Sequence, residues 1–426
     1  MNFYSDNIEA MIPKGVKDFL PVNAVKIQYL QQTLHQVFKQ WGFQDIVPPS
    51  LEFLDVLERG LGNELRSNTV RFDDRQSGQF LALPSDITPQ IARIFATRMH
   101  NLPWPQRLCY SCRILRHTEE QAGKDREIFQ AGVELIGEPG PQADAELICM
   151  ALESLENLKA SDHTIDIGHV EFYRGVLDGL KLDGAQREIL QQRLLHKDSS
   201  GLKQLLETLP LSDAQREELL ALPRLFGGRE VLDRASTVVT SERSKRALED
   251  LHKVLRVLDL HAVDRYITLD LGELRGFDYY TGITFQGFLT GFGKAVCLGG
   301  RYDKLTERYG RSAPATGFAF NLLNLLFAMP EKLAEVARPG TDVLITAAAG
   351  QDCRAYRLAR TLRQQGRSAW VQVVDLPPSM ETLRNLNVRT LLTLSKDGEK
   401  TTLITIENEQ PRQLSTDDLL TGVVVL

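Results

Sequence analysis

Between Gln79 and Gly137 three strand-like runs follow one another: Phe80 to Leu83, Leu108 to Leu115 and Ile128 to Ile136. A single helical stretch, about Pro89 to Met99, separates the first two. Strands and helices in unequal blocks, with no regular βα alternation, favour an α+β domain on an antiparallel sheet. Upstream, Ile27, Leu30, Leu34, Val37, Phe38 and Trp41 recur at three- and four-residue steps and predict one amphipathic helix. Gly42 ends it, and Phe43 to Val47 reads as a strand stopped by Pro48 and Pro49.

From about residue 175 to 265 the texture changes to Leu, Glu, Lys and Arg at helical spacing, which predicts a helical insertion. Ala185-Gln-Arg-Glu188 and Ala214-Gln-Arg-Glu217 each follow an Asp and read as two helix starts with capping carboxylates. Strand-like chain resumes at Tyr266 to Leu271 and Gly282 to Phe288. Gly317 to Met329 is apolar but short and interrupted by Asn321 and Asn324, so it reads as a buried core helix and not a membrane span. Residues 330–340 read as a linker, giving domains of 1–330 and 341–426. In the second, strand-like runs Asp342 to Ala348, Ala369 to Val374 and Thr390 to Leu394 alternate with helices, the pattern of a small α/β domain with a parallel sheet. Its first helix bears Arg354, Arg357, Arg360, Arg363 and Arg367. Ala355, Leu358, Ala359 and Leu362 make the opposite face, so the arginines read as a solvated outer face.

A chain of 426 residues with a net charge of −6 has no overall basic surface for gripping nucleic acid. Five scattered cysteines make no disulfide framework, and the expected compartment is the reducing cytoplasm. The opening ten residues, with Asp6 and Glu9, do not form a signal peptide. Cys109 and Cys112 lie three apart on a predicted strand and so face opposite ways. No metal site and no cofactor are expected.

Polar residues inside buried-looking strands are the more informative feature. Gln130 and Glu134, four apart, share one strand face with Gly132 between them. The expectation is open space above that glycine and a floor for a cationic or amine-bearing ligand; the alternative is a wet face. Leu274-Arg-Gly-Phe-Asp-Tyr-Tyr280 suits a planar carboxylate-bearing ligand, with Arg275 as a bidentate fork and a tyrosine against a ring. Gly299-Gly-Arg-Tyr-Asp303 reads as a tight turn followed by Arg and Tyr, or as a plain hairpin turn with an ion pair.

In order and wording these segments resemble histidyl-tRNA synthetase and its paralogue, the regulatory subunit of ATP phosphoribosyltransferase, over nearly the whole chain. Trp41 to Pro49 resembles class II motif 1, Arg116 to Gly137 resembles motif 2, and 274–280 with 297–303 resemble the two histidine signature segments. The resemblance implies a class II aminoacyl-tRNA synthetase-like fold and a C-terminal domain similar to an anticodon-binding domain. It also implies a histidine pocket. Asp86 and Thr88 would lie at the amino group, Gln130 and Glu134 near the amino group and imidazole, Tyr280 and Tyr302 at the imidazole, and Arg275 at the carboxylate, with Arg116 as the motif 2 arginine. Asp86 is one methylene shorter than the family's usual Glu.

The departures from the synthetase pattern fall on the nucleotide side. In motif 3, Gly317-Phe-Ala-Phe-Asn-Leu-Leu-Asn324 places Asn324 where the synthetases have an ATP-clamping arginine, Leu323 in place of an acid and Asn321 in place of a glycine. In motif 2, Arg116-His-Thr-Glu119 loses one acid and reverses one charge. Removing one pre-placed charge of this kind costs about 3 kcal/mol in the transition state, on the order of a hundredfold or more. The resemblance therefore implies a non-catalytic histidine sensor. It would dimerise through motif 1 and assemble with a short-form catalytic ATP phosphoribosyltransferase subunit into a hetero-octamer, at the first step of histidine biosynthesis. A divergent histidine–tRNA ligase is the alternative, supported by Arg116, Arg275, Arg301 and the C-terminal domain. A free histidine-binding protein is a third.

Overall fold

The structure, a computed structural model of the chain, describes residues 12–117, 125–272, 279–336, 340–374 and 376–422. It divides into two compact units, one of Lys26–Leu333 with the segment up to Phe19, the other of Ala334–Leu426 with Leu20–Val25.

The first unit is built on a nine-stranded sheet. Its strands are β1 (Gln44–Asp45), β5 (Gln106–Leu115), β6 (Glu127–Ile136), β7 (His163–His169), β8 (Phe226–Gly227), β9 (Ile267–Asp270), β10 (Ile283–Leu289), β11 (Cys297–Arg301) and β12 (Ala315–Asn321). A separate three-stranded sheet holds β2 (Glu52–Phe53), β3 (Arg71–Asp73) and β4 (Phe80–Ala82). The large sheet runs β1-β5-β6-β12-β11-β10-β7-β9-β8, antiparallel except at the β1–β5 and β7–β9 pairs. Motif 1 thus contributes a two-residue edge strand, shorter than the run from Phe43 to Val47, because Pro48 and Pro49 offer no N–H to a ladder.

Strand alternation assigns the two faces. Ala131, Val133 and Leu135 of β6, Phe318 and Phe320 of β12, and Phe285 of β10 point to one side. There they pack with Ile27, Leu30, Leu34, Val37 and Phe38 of the helix Pro21–Gln40 and with the helix Pro141–Asn157. Each such side chain contributes about 1.5–3 kcal/mol when fully buried. The opposite face is covered only in part, by the helix Thr88–Arg98 through Ile91 and Phe95. The uncovered centre of that face is where the cavity lies.

The insertion is helical, from Val170–Asp178 through Gly184–Leu195, Ser199–Thr208, Asp213–Ala221 and Glu230–Val238 to Glu242–Leu260. The two echoed helix starts are both capping boxes, but only the first uses an aspartate. Asp183 accepts from the Gln186 N–H at 2.8 Å, whereas in the second Ser212 is the cap and Asp213 is already the first helical residue.

Two apolar stretches differ from expectation. Gly317 to Met329 is a strand and then a helix, not one helix. Phe318 and Phe320 alternate with Gly317 and Ala319 along β12, and Asn321 then caps Leu322–Ala328 by accepting from the Leu323 and Asn324 N–H groups. The supposed linker contains the helix Pro330–Val336, anchored by the buried Leu333.

The second unit has a five-stranded sheet, β14 (Ala369–Val373), β13 (Thr341–Ala347), β15 (Val388–Leu394), β16 (Lys400–Thr405) and β17 (Arg412–Ser415), in that order. Only β14, β13 and β15 are parallel; β16 and β17 return antiparallel, so the sheet is mixed. The helix Asp352–Gln364 buries Ala355, Leu358, Ala359 and Leu362 and turns Arg357, Arg360 and Arg363 outward. Arg367 lies beyond its end, after Gly366.

Candidate functional site

On the uncovered sheet face the register brings Leu108, Glu134, Gly317, Gly300 and Thr284 into one row, and Tyr110, Gly132, Ala319, Leu298 and Gln286 into the next. Cys112, Gln130 and Asn321 form a third. The middle of this face is thin because its central residues are glycine and alanine. A cavity of about 660 Å³ stands over it. Asp86, Thr88, Arg116, Gln130, Tyr280 and Tyr302 all line it, so six of the eight expected residues meet at one place. Arg275 lies outside the described residues.

Glu134 sits one layer below and is 1% exposed. Its Oε1 accepts from the Thr88 hydroxyl at 2.7 Å and, more weakly, from Tyr110 at 3.5 Å, and its Oε2 accepts from the Tyr302 hydroxyl. Burial pushes its pKa up to about 8, against which the Tyr302 and Thr88 hydrogen bonds pull it down. With a pKa near 8 this carboxyl is mostly protonated at pH 7. Its direct work is to fix Thr88 and Tyr302.

Asp86 is the carboxylate that faces the cavity. Burial raises its pKa, opposed first by the charge of Arg116 and then by the hydrogen bond that Tyr279 donates to Oδ2 at 3.2 Å. Arg116 is itself held by Nε donating to the Ser85 carbonyl at 2.9 Å. Tyr279 stacks obliquely on Tyr280, with centroids 4.7 Å apart, and meets Tyr302 edge-on at 6.2 Å. Three tyrosine rings thus make an aromatic corner beside one acid.

The glycines differ from both expectations. There is no open space above Gly132: a Cβ there would lie 2.7 Å from the Tyr110 hydroxyl, so the glycine admits that ring. Gly299 and Gly300 are strand residues of β11, not a turn. A Cβ on Gly300 would meet the Tyr280 ring at 2.9 Å, and one on Gly317 would fall on the Glu134 carboxylate. Arg301 is in no turn and does not line this cavity. It pairs in the interior with Asp144 at 2.9 Å and with Asp303 at 3.1 Å.

Gln130 Oε1 and Gln286 Oε1 are buried acceptors with no donor among the described residues, and both line the cavity. Such acceptors are satisfied when a ligand brings N–H groups. Gln286 and Tyr279 were not anticipated. Gln286 could have been found from the period-two pattern of Ile283 to Leu289, which places it on the face of Thr284. At the motif 3 end, Asn324 Nδ2 donates to the Ala295 carbonyl at 2.7 Å and Asn321 Oδ1 is spent on its helix cap. Both amides are tied to backbone. Leu323 is buried in the core.

Among the described residues one group, His35, Asp45 and Cys109, has metal-ligand atoms close together. It is an ion-pair cluster, since Asp45 already meets His35 at 2.6 Å and Lys39 at 2.5 Å. Cys112 is on the other face of β5, as strand geometry requires.

This fold and cavity define a class II synthetase-like domain with an acid and tyrosines at one end of the cavity and, among the described residues of motif 3 that line it, the amides Asn321 and Asn324 at the other. The family model for histidyl-tRNA synthetase matches residues 15–325. The ATP phosphoribosyltransferase regulatory subunit of Syntrophotalea carbinolica is 53% identical over 97% of each chain. That of Geobacter sulfurreducens is 50% identical over 92% of this chain and 90% of its own. A Bacillus halodurans crystal structure described as an ATP phosphoribosyltransferase regulatory subunit/histidyl-tRNA synthetase superposes with a TM-score of 0.80 at 26% identity, covering 92% of this chain and 99% of that one. Histidyl-tRNA synthetase from Nostoc shares the fold, with a TM-score of 0.78 at 21% identity over 99% of both. The chain belongs to the ATP phosphoribosyltransferase regulatory subunit family, within the histidyl-tRNA synthetase-like proteins.

Proposed function

We propose that this chain is the histidine-responsive, non-catalytic subunit of an ATP phosphoribosyltransferase, acting at the first step of histidine biosynthesis. The observation that carries the proposal is the asymmetry of one cavity. Its amino-acid end holds a buried acid, two hydroxyls and three aromatic rings, while its motif 3 end holds two amides already bonded to backbone.

In this account the histidine ammonium meets Asp86, Thr88 and the free Gln130 Oε1. Its imidazole lies against Tyr280 and Tyr302, whose orientation Glu134 maintains. Arg275 and Arg116 provide positive charge for the carboxylate. Binding an ammonium beside Asp86 offsets the burial cost that raises its pKa. ATP, by contrast, finds no cation at position 324 to hold its phosphates, so adenylation does not proceed.

The catalytic chemistry then resides in a partner, a short-form ATP phosphoribosyltransferase subunit, and the assembly is a hetero-octamer. The chain itself pairs with a second copy through the motif 1 region. Support for that pairing comes from exposed apolar residues there, Val47, Leu51, Phe53 and Phe72, with Phe53 and Phe72 in one row across Leu81. No described helix is long and apolar enough to cross a membrane. The expected compartment is the cytoplasm. Co-expression with the short catalytic subunit tests the proposal. The expected result is one large complex whose transferase activity needs this chain and falls with histidine. Histidine-dependent charging of transfer RNA by this chain alone would favour the ligase instead.

A further inference from the structure

Tyr280 lines the cavity, yet its backbone is anchored from the far side of the sheet entry, just before β10 begins at Ile283. Its carbonyl accepts from Arg174 Nη1 at 2.9 Å, and no other described residue donates to that oxygen. Arg174 belongs to Val170–Asp178, the first helix of the insertion, and does not line the cavity.

The guanidinium is part of a chain of ion pairs. Arg174 Nη1 also donates to Glu171 Oε1 at 2.7 Å, one turn earlier on the same helix. Glu171 Oε2 accepts from Arg243 Nε, and Arg243 Nη1 donates to Asp178. Arg243 lies in the first turn of Glu242–Leu260, just past its Ser241 cap. The start of the Val170 helix is fixed independently. His169 Nδ1 accepts the Glu171 N–H at 3.2 Å, and the Val170 N–H donates to the Gly282 carbonyl at 3.0 Å. Helix and strand entry thus have two ties, one of backbone at Gly282 and one of a guanidinium at Tyr280.

The second tie bears on the aromatic corner. The Tyr280 ring sits over Gly300, where a Cβ would lie 2.9 Å from it, and leans on Tyr279 with centroids 4.7 Å apart. Tyr279 in turn donates to Asp86. Rings packed this closely follow small movements of their own backbone. A charge-assisted hydrogen bond is the stronger and better-directed kind of anchor. We propose that Arg174 is a positioning residue of the histidine pocket, holding the Tyr280 carbonyl so that the Tyr279–Tyr280 pair meets the imidazole and Asp86 in register. This inference rests on the histidine reading of the cavity. Because Glu171 is shared by Arg174 and Arg243, occupancy of the pocket also bears on the anchoring of the insertion's last helix, and that coupling is reciprocal.

The competing role for Arg174 is that of a plain ion pair serving the fold, and Arg243 supplies the control. It is held by two carboxylates and makes none of the listed bonds to Tyr280, so its loss weakens the same helices without releasing the tyrosine. Removing Arg174 strands no buried charge, since Glu171 keeps Arg243, and the side chains of Glu171, Arg174 and Arg243 are 25%, 26% and 38% exposed.

The test measures histidine binding to the full chain by calorimetry, alongside urea denaturation, for Arg174→Met, Arg174→Lys and Arg243→Met. The expected result is a loss of histidine affinity of roughly five- to thirtyfold in Arg174→Met, the range for coupling carried through packed contacts. Arg243→Met should be destabilised to a similar degree and keep its affinity within about twofold. Arg174→Lys, which retains one charged donor on a long side chain, should recover most of the affinity. The proposal is overturned if Arg174→Met binds as wild type does, if Arg243→Met loses as much affinity, or if Arg174→Lys recovers none. Wild type that binds no histidine overturns the histidine reading and this inference together, whereas the other contrary results leave that reading standing.

Discussion

The two ends of the cavity are built from the same sheet face and differ in what their polar atoms are doing. At the Asp86 end, polar groups are buried and bonded to one another: Tyr279 to Asp86, Thr88 and Tyr302 to Glu134. At the Asn321 end, the side chains are bonded to backbone and serve the fold. One end keeps a network of titratable groups at a cost in desolvation; the other has exchanged such groups for caps and latches. Preorganised polarity is expensive to bury unless a ligand uses it, so the first end reads as a site and the second as scaffold.

Four substitutions or conditions probe this contrast. The largest effect is expected from Glu134→Ala, which leaves Thr88 and Tyr302 hydroxyls without their acceptor in a buried place. Each stranded donor costs about 1–3 kcal/mol, so urea denaturation should show a loss of roughly 2–6 kcal/mol. Glu134→Gln should lose far less at pH 7, since the carboxyl is protonated there. Equal losses would mean that Glu134 works as a charge.

Asp86→Asn should weaken histidine binding by roughly ten- to a hundredfold in calorimetry, one charge-assisted bond being worth about 1.5–3 kcal/mol, with little change in melting temperature. If affinity held, the ammonium would have to sit elsewhere. At the other end, Asn321→Ala should cost about 1 kcal/mol of stability through its lost helix cap and leave histidine affinity unchanged. A change in affinity there would show that the two ends are not separable.

A further effect concerns pH. Glu134 titrates near 8 in the fold against 4.5 when unperturbed. Between these values the folded chain binds more protons than the unfolded one, so this group's stabilisation is full below pH 4.5 and is lost as pH rises toward 8. His169, lowered from 6.5 to about 4, acts in the other sense, its contribution being lost as pH falls. The stability of Glu134→Gln relative to wild type should therefore rise between pH 5 and pH 8 in parallel urea titrations. A constant difference would remove the burial argument for Glu134.

Much of this contrast was legible in the sequence, and the misses share a cause. Helix faces such as Ile27 to Phe38 and the strand 128–136 repeat at one period over many residues, so their burial follows directly. Gly299-Gly300 misled because paired glycines usually mark turns; here they thin a strand so that Phe285 and Phe318 crowd one face and Tyr280 the other. Gly317 to Met329 misled because composition is uniform across a strand and a helix, and the boundary is set only by the Asn321 cap. That Glu134 lies behind Thr88 and Tyr302 depends on contacts 46 and 168 residues away in the chain, which no local pattern encodes.

The division of the cavity into a working end and a scaffold end is tested most directly by pyrophosphate exchange into ATP, measured on the purified chain at histidine concentrations that saturate binding. The account predicts no exchange above the rate without histidine. Exchange that rises with histidine and is abolished by Asp86→Asn would contradict it, because the motif 3 end would then be holding ATP in a reactive pose without the charges that such a pose requires.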